Sequence, residues 1–305
     1  MTKNSNFSKI IIKENRILVG QNAKGIKILM EEKSAMEFIK NDYLERIGRL
    51  RMLDDDFMSK IFEDPKCAEI LLRIILNRKD LTVQHVQVQH SIHNLQGRSV
   101  RLDIYAVDTN GKLYDVEVQR DDRGAGRKRA RYNSSVIDAD IAEAGKQFEN
   151  LPETYVIFIT ENDVLKGNLP LYHIDRIIRE TGEFFMDEEH IIYVNAQITD
   201  ETELGRLMHD FWCTNPSDMK NNILAQRVRY FKEEQEGVMV MCKEFEKLYA
   251  EGKAEGRAEG RAEGRADAIC KMIKKDYTNT MIQDIFDDVT DEEIENIRKE
   301  MFVVS

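Results

Sequence analysis

The sequence lacks an apolar run of about 18 residues, the length that would predict a membrane-spanning helix. Its first residues, MTKNSNFSKIIIKENR, do not contain the apolar core and small-residue cleavage site of a secretory signal peptide. We therefore expect a cytoplasmic protein that does not act at a membrane.

Cysteine is scarce, and the cysteines that are present are scattered along the chain. They form no CxxC pair and have no spacing with histidine that is typical of a zinc site. Cysteines in this arrangement predict reduced thiols in a cytoplasmic protein. They are Cys67, Cys213, Cys242 and Cys270.

Positive charge is also in deficit, because the formal net charge is -11. This charge argues against a protein that coats nucleic acid as a polycation.

A local basic groove is compatible with this net charge, and residues 120–131 hold the densest basic cluster of the chain. Gly124 and Gly126 predict a loop there, and KRARYNSSVIDADIAEAG predicts a helix after it. The cluster either binds DNA phosphates or is a solvated helix end; its members are Arg120, Arg123, Arg127, Lys128, Arg129 and Arg131.

Two alternating runs flank TNG in the stretch SVRLDIYAVDTNGKLYDVEVQ, and they predict a β-hairpin. A two-residue loop would place Ile104 opposite Glu117 and mix apolar with polar faces. A three-residue loop, residues 109–111, places Ile104 opposite Val116 and puts Gly111 where a left-handed conformation is needed. We therefore predict the three-residue loop.

That register places Asp103 opposite Glu117, with β-carbons about 5 Å apart, and Gln119 on the same face. Neighbouring carboxylates repel each other unless something neutralises them. Carboxylates on rigid strands suit Mg²⁺ or Mn²⁺, so one interpretation is a metal site. The alternative is a solvated acidic sheet face that is paired with Arg101.

The stretch DIYA…YDVEVQR, together with DDDFMSKIF, RKRARYNSS, LPETYVIFITENDV and MCKEFEK, resembles the bacterial recombination-promoting nuclease and transposase family. That family belongs to the PD-(D/E)XK nuclease superfamily, and the resemblance covers roughly residues 50–250. It implies an α/β fold: a restriction-endonuclease-like α-β-β-β-α-β core with a mixed sheet, followed by a helical C-terminal region. It also implies Mg²⁺-dependent DNA cleavage in recombination or transposition.

Residue by residue, the resemblance makes Asp103 and Glu117 metal ligands and, with Gln119, the catalytic set. Gln119 holds the position that lysine usually occupies in this superfamily. We choose Glu69, on a helix predicted over residues 65–76, as the further metal-ligating acid; Glu63 and Asp55 are alternatives that spacing does not separate.

The glutamine departs from the motif, because an amide can hold a water molecule but cannot act as a general base. The resemblance indicates that glutamine is usual in this branch. Two functions therefore stay open: a metal-dependent DNA endonuclease, and a nuclease-fold protein that binds DNA or a protein partner without cleaving.

The remaining pattern predicts an uncertain N-terminal extension over 1–50, the nuclease-like domain over 51–200 and a helical region over 201–250. The EGKA/EGRA repeat at 251–266 is either a helix that packs on another helix, and so mediates homo-oligomer formation, or a flexible linker. A small acidic helical appendage follows at 267–305, with a capping box at Thr290.

Within the predicted nuclease-like domain, we also predict strands at 81–90, 154–160 and 190–196 and a helix at 171–182. We predict structural roles for His173 and His190.

Overall fold

A computed structural model describes residues 41–93, 97–143 and 145–303 of the chain, with side chains up to residue 299. Most of the uncertain N-terminal extension, in which KIIIKEN and GIKILM could form short strands and residues 34–50 a helix, lies outside the described part. The described chain begins in helix α1, residues 41–49. The further helices are α2 (Asp55–Phe62), α3 (Pro65–Ile75), α4 (Arg127–Ile141), α5 (Glu203–Trp212), α6 (Asn222–Glu233), α7 (Gln235–Ile273), α8 (Asn279–Gln283) and α9 (Asp291–Val303).

The strands form one mixed sheet in the order β1-β2-β3-β4-β6-β5. Strands β1 to β3 are antiparallel neighbours, β4 lies parallel to both β3 and β6, and β5 closes the edge antiparallel to β6. Together with α3 and α4 they give the predicted α-β-β-β-α-β core, so the fold prediction is confirmed. The strands are β1 (Val83–Ile92), β2 (Val100–Asp108), β3 (Leu113–Gln119), β4 (Thr154–Thr160), β5 (Leu171–Ile174) and β6 (Glu189–Asn195).

The β2–β3 hairpin has the predicted register. Ile104 pairs with Val116, and the Asp108 amide donates to the Lys112 carbonyl at 3.1 Å. Gly111 ends the three-residue loop with φ at 79°, in the left-handed region that glycine adopts without strain. The loop therefore sets which side chains share a face of the sheet.

Two hydrophobic cores cover the two faces of the sheet. One face packs against α2, α3, α5 and α6, through residues such as Phe57, Leu71 and Phe211. The other face packs against α4, through residues such as Ala130 and Ile137. Strand β4 lies between the cores and is buried on both faces, as its continuous apolar sequence predicts.

The helix predicted at 171–182 is wrong. Residues Leu171–Ile174 form the edge strand β5 instead, and His173 pairs with Ile192 of β6. A bridge between Ile177 and Phe184 continues the extended structure. The free edge of β6 offers backbone hydrogen bonds to this segment. Their contribution exceeds the weak helix propensity of so short a stretch.

The repeat at 251–266 is helical, because α7 runs without interruption from Gln235 to Ile273. Residues 251–264 of this helix are exposed to solvent. After the repeat, α7, α8 and α9 share a small apolar cluster around Ile269, Ile282 and Ile294. None of the helices in the described part of the chain is both long and apolar enough to span a membrane.

Candidate active site

The open end of the β2–β3 hairpin brings the predicted catalytic set together. The regular ladder stops at the Ile104–Val116 pair, and the Val118 amide donates to Asp103 Oδ2 at 3.1 Å. Gln119 Nε2 lies 3.4 Å from Asp103 Oδ2 and 3.2 Å from Glu117 Oε2. Asp103, Glu117 and Gln119 therefore share one face of the sheet, in contact with each other.

This acidic face is buried rather than solvated. Glu117 and Asp115 are 0% exposed, because helix α4 packs over them. Asn133 of α4 donates to both, at 3.1 Å to Asp115 Oδ2 and 3.3 Å to Glu117 Oε1. The sequence alternative of an acidic sheet face open to water does not hold for these two acids.

Arg129 points into the acids and not outward to the solvent. Its Nη2 pairs with Glu117 Oε2, and its Nη1 donates to Gln119 Oε1 at 3.2 Å and to the Gly124 carbonyl at 2.9 Å. In this structure the guanidinium is therefore occupied by the acid cluster, in contrast to the prediction that it binds DNA phosphates. Arg129 and Asn133 lie four residues apart on one face of α4, a spacing visible in the sequence.

The cluster holds three acids and one guanidinium. The pKa values of the acids are raised, which means that their ionised forms are disfavoured in this site. Burial raises the pKa of Glu117, and the charges of Asp115 and Asp103 raise it further. Burial likewise raises the pKa of Asp115 and of Asp103. Arg129 acts in the opposite direction on all three, since its positive charge favours the ionised acids.

Gln119 is suited to this position because an amide both donates and accepts hydrogen bonds. It donates toward Asp103 and Glu117 and accepts from Arg129. An ammonium group could donate to the acids but could not accept from the guanidinium. Gly124 leaves room for this amide, because a Cβ at Gly124 would overlap Gln119 Oε1.

The structure places Glu69, our choice for the further acid, elsewhere. Its Oε2 accepts the Val83 amide at 3.0 Å, and its Oε1 pairs with Arg73 at 2.8 Å. Val83 pairs with Asp108, five residues along β2 from Asp103, or roughly 16 Å at the rise of a strand. Glu69 thus holds the start of β1 and not the acid cluster.

Asp55, one of the alternatives, is the helical acid near the cluster. It begins α2, and its negative charge contributes to the raised pKa of Asp103. It lines a cleft of about 660 Å³ together with Gln119. Spacing could not select it, because the fold of α2 against β2 decides which helical acid approaches Asp103.

A basic groove of about 1210 Å³ adjoins the acids on the α4 side. Arg129 and Asn133 belong both to the groove and to the acid cluster. Sequence reasoning missed two of its arginines, Arg98 and Arg101, because they precede or begin β2, away from the basic segment. The basic side chains that line the groove are Arg98, Arg101, Arg123, Lys128, Arg129 and Arg131.

Two members of the predicted DNA-binding set do not line this groove. Arg120 pairs with Asp54 at 2.8 Å and with Glu161 at 3.0 Å, so it joins α2 to the end of β4. Arg127 is exposed at the first position of α4. Arg120 and Arg127 therefore lie outside the groove, and phosphate binding by them stays a prediction.

The two histidines predicted to be structural, His173 and His190, lie on β5 and β6. His190 stacks on Tyr155 and pairs with Glu153 at 3.2 Å, while His173 is exposed on the edge strand. A group that sequence spacing did not suggest is His209, Asp210 and Cys213, whose ligand atoms lie within 4.8 Å of one another. Its central acid has a structural role, because Asp210 accepts the amides of residues 220 and 221 at 2.6 and 2.8 Å.

The chemistry of the acid cluster fits a divalent cation. Its ligand atoms are carboxylate and amide oxygens, which Mg²⁺ and Mn²⁺ prefer. One buried carboxylate oxygen, Asp115 Oδ1, has no hydrogen-bond partner in the described part of the chain. The residues that would hold the cation are Asp103 and Glu117, with Asp55 on the adjoining helix.

A mixed sheet with acids at the open end of its central hairpin is consistent with the PD-(D/E)XK nuclease fold. The family of PD-(D/E)XK nuclease family transposases matches the chain over residues 58–258, which is more than half of its length. The chain belongs to this family. Comparisons with curated proteins and with solved structures found no match.

Proposed function

We propose that the protein is a divalent-metal-dependent DNA endonuclease that acts in recombination or transposition. The observation that carries the proposal is the pair of buried acids Asp115 and Glu117, with the half-buried Asp103 next to them, beside a groove lined by basic side chains. Basic side chains bind the phosphates of a DNA backbone, and carboxylates hold the cation that phosphodiester hydrolysis requires.

Each part of the site has a distinct role in this proposal. Asp103 and Glu117 would hold the cation, which would supply the positive charge that activates a water for attack. Gln119 orients the attacking water by hydrogen bonding and takes no proton from it, because its amide has no accessible pKa. Lys128 and Arg131 hold the DNA backbone, and Arg129 balances the charge of Glu117.

The experiment that tests the proposal is the nicking of supercoiled plasmid DNA by the purified full chain. We expect cleavage with Mg²⁺ or Mn²⁺ and none with a chelator. DNA affinity at several salt concentrations is measured in parallel, and it should fall as salt rises, because phosphate contacts release counterions.

A second candidate is a nuclease-fold protein that binds DNA or a protein without cleaving. Two observations favour it: Gln119 stands where the motif has lysine, and Arg129 already pairs with Glu117. Salt-dependent DNA binding without cleavage in Mg²⁺ or Mn²⁺ would select this candidate over the first. The absence of both activities would contradict DNA as the substrate.

We also propose that the exposed repeat segment, residues 251–266, mediates homo-oligomer formation. Apart from the chain neighbours of each glycine and the helix's own backbone, no atom of the described residues lies within 4 Å of a Cβ built at Gly252, Gly256, Gly260 or Gly264, so this stripe is open. Glutamates and basic residues follow the two flanks of the stripe, each at every fourth position. Two parallel copies facing each other through the glycines would match acidic with basic flanks. Light scattering should therefore detect an oligomer, which the pair Gly256→Leu and Gly260→Leu should abolish; a parent monomer would contradict the proposal.

A further inference from the structure

Asp115 is a buried acid whose charge is not balanced by the groups around it. It is 0% exposed, and its Oδ2 accepts a hydrogen bond from Asn133 Nδ2 at 3.1 Å. Its Oδ1 has no hydrogen-bond partner in the described part of the chain. A buried carboxylate oxygen without a partner is costly, so it indicates an additional group that the carboxylate binds.

The neighbours of Asp115 are the other acids of the site. Asn133 Nδ2 also lies 3.3 Å from Glu117 Oε1, so the two carboxylates lie side by side on β3. Asp103 is near enough for its charge to act on Asp115. The hydrogen bonds of Arg129 go to Glu117, Gln119 and Gly124. The guanidinium therefore acts on Asp115 through its charge and not through a hydrogen bond.

Asp108 is a buried acid whose carboxylate oxygens are both satisfied by donors of the protein itself. It lies on the same hairpin and is also 0% exposed. Its oxygens accept from the amides of residues 110 and 112 at 2.8 and 3.0 Å, and from the Tyr114 hydroxyl at 2.9 Å. Burial on this hairpin therefore does not by itself leave a carboxylate oxygen without a partner.

We infer that Asp115 is a further carboxylate ligand of the divalent cation, which it binds through Oδ1 beside Asp103 and Glu117. Asn133 holds the second oxygen of Asp115 and orients the ligand, as residues behind metal ligands commonly do. The inference rests on the proposed function, since it deepens the same metal site. A cation held by Asp103 and by two fully buried carboxylates, Asp115 and Glu117, keeps fewer waters, which favours Mn²⁺ over the strongly hydrated Mg²⁺.

The experiment is a calorimetric titration of the metal-free full chain with Mn²⁺ and with Mg²⁺, in the absence of DNA. The variant is Asp115→Asn, and the matched control is Asp108→Asn on the same hairpin. We expect Asp115→Asn to weaken Mn²⁺ binding by roughly tenfold to 100-fold, the range seen when support for a metal site is lost. Asp108→Asn should bind Mn²⁺ like the parent.

A second measurement separates a lost ligand from a lost remote charge. The luminescence lifetime of bound Tb³⁺ in H₂O and D₂O counts the waters on the ion. The loss of a ligand in Asp115→Asn should add a water to the ion, whereas the loss of a charge at a distance should add none.

The outcomes distinguish this inference from the proposed function. A parent chain that binds neither cation would overturn both. A parent that binds Mn²⁺ while Asp115→Asn binds it equally well, or with no added water on Tb³⁺, would overturn the inference alone. Loss of the cooperative thermal transition of Asp115→Asn in chelator would also overturn it, because the carboxylate would then be required by the metal-free fold.

Discussion

The two ends of the β2–β3 hairpin bury acidic side chains in opposite ways. At the turn, Asp108 accepts hydrogen bonds from two backbone amides and the Tyr114 hydroxyl, so its burial is fully compensated. At the open end, Asp103, Asp115 and Glu117 share Arg129 and two amide side chains, and burial raises the pKa of all three. The difference teaches that the protein balances the acid at the turn with its own donors, whereas it leaves the acids at the open end with uncompensated charge.

The largest effect should come from neutralising the open end. We expect Asp103→Asn combined with Glu117→Gln to lower plasmid cleavage at least about 1000-fold, because several kcal/mol of metal-derived stabilisation is lost. Asp108→Asn at the turn should cleave like the parent. Equal cleavage by the double variant and the parent, after removal of contaminating nucleases, would show that the open end is not the active site.

The next effect is on the free energy of unfolding. Substitution at the turn should lower it, whereas substitution at the open end should not. Asp108→Ala leaves buried donors without an acceptor, which costs about 1–3 kcal/mol for each donor that water does not reach. In chelator, the double variant Asp103→Asn, Glu117→Gln should be as stable as the parent or more stable, because it relieves repulsion between the acids. Urea unfolding measures both. Marked destabilisation by the double variant would mean that the open end, too, is structural.

A smaller effect concerns pH in the absence of metal. Because the folded pKa values at the open end are raised, the folded chain binds protons that the unfolded chain has released. This stabilisation is complete below the ordinary carboxyl pKa of about 4 and is lost as pH rises through the folded pKa values. The stability difference between the parent and the double variant should therefore shift against the parent as pH rises. A difference that is constant with pH would contradict the prediction.

The hairpin also marks where sequence reasoning succeeds and where it stops. Alternation and the turn glycine predict its register, and that register alone places Asp103, Glu117 and Gln119 together. Asp115 shares their face in the same alternating run, but its role depends on α4 covering the strand. Alternation within a strand does not report which helix lies above it.

The assignments that the sequence could not make have the same physical origin. Glu69 and Asp55 are both helical acids, and the packing of α2 and α3 against the sheet decides which one approaches Asp103. Arg129 belongs to a basic segment by sequence, yet the orientation of α4 turns it toward Glu117 while Arg131 lines the groove. Tertiary packing, which local patterns do not encode, makes these distinctions.

The smallest effect should come from Gly124, which tests whether the open end needs the position of the Gln119 amide. A Cβ at Gly124 would overlap Gln119 Oε1 and would lie 3.1 Å from the Asp121 carbonyl, so alanine should displace the amide from Arg129. The flexible end of Gln119 can move, and we therefore expect little change in unfolding free energy. The loss of the Arg129–Gln119 hydrogen bond, about 1 kcal/mol, would leave the amide less well oriented and predicts a roughly fivefold lower cleavage rate.

Gly126→Ala is the matched control for this substitution, because it lies in the same loop and its Cβ would meet the Arg123 carbonyl at an ordinary 3.7 Å. It should cleave at close to the parent rate, measured as single-turnover nicking with saturating Mn²⁺. If Gly124→Ala also cleaves at the parent rate, the amide of Gln119 does not position the water. Of these two glycines, only Gly124 lies within contact distance of the Gln119 amide. A cleavage rate that falls equally in both variants would therefore show that the effect comes from the loop and not from the amide.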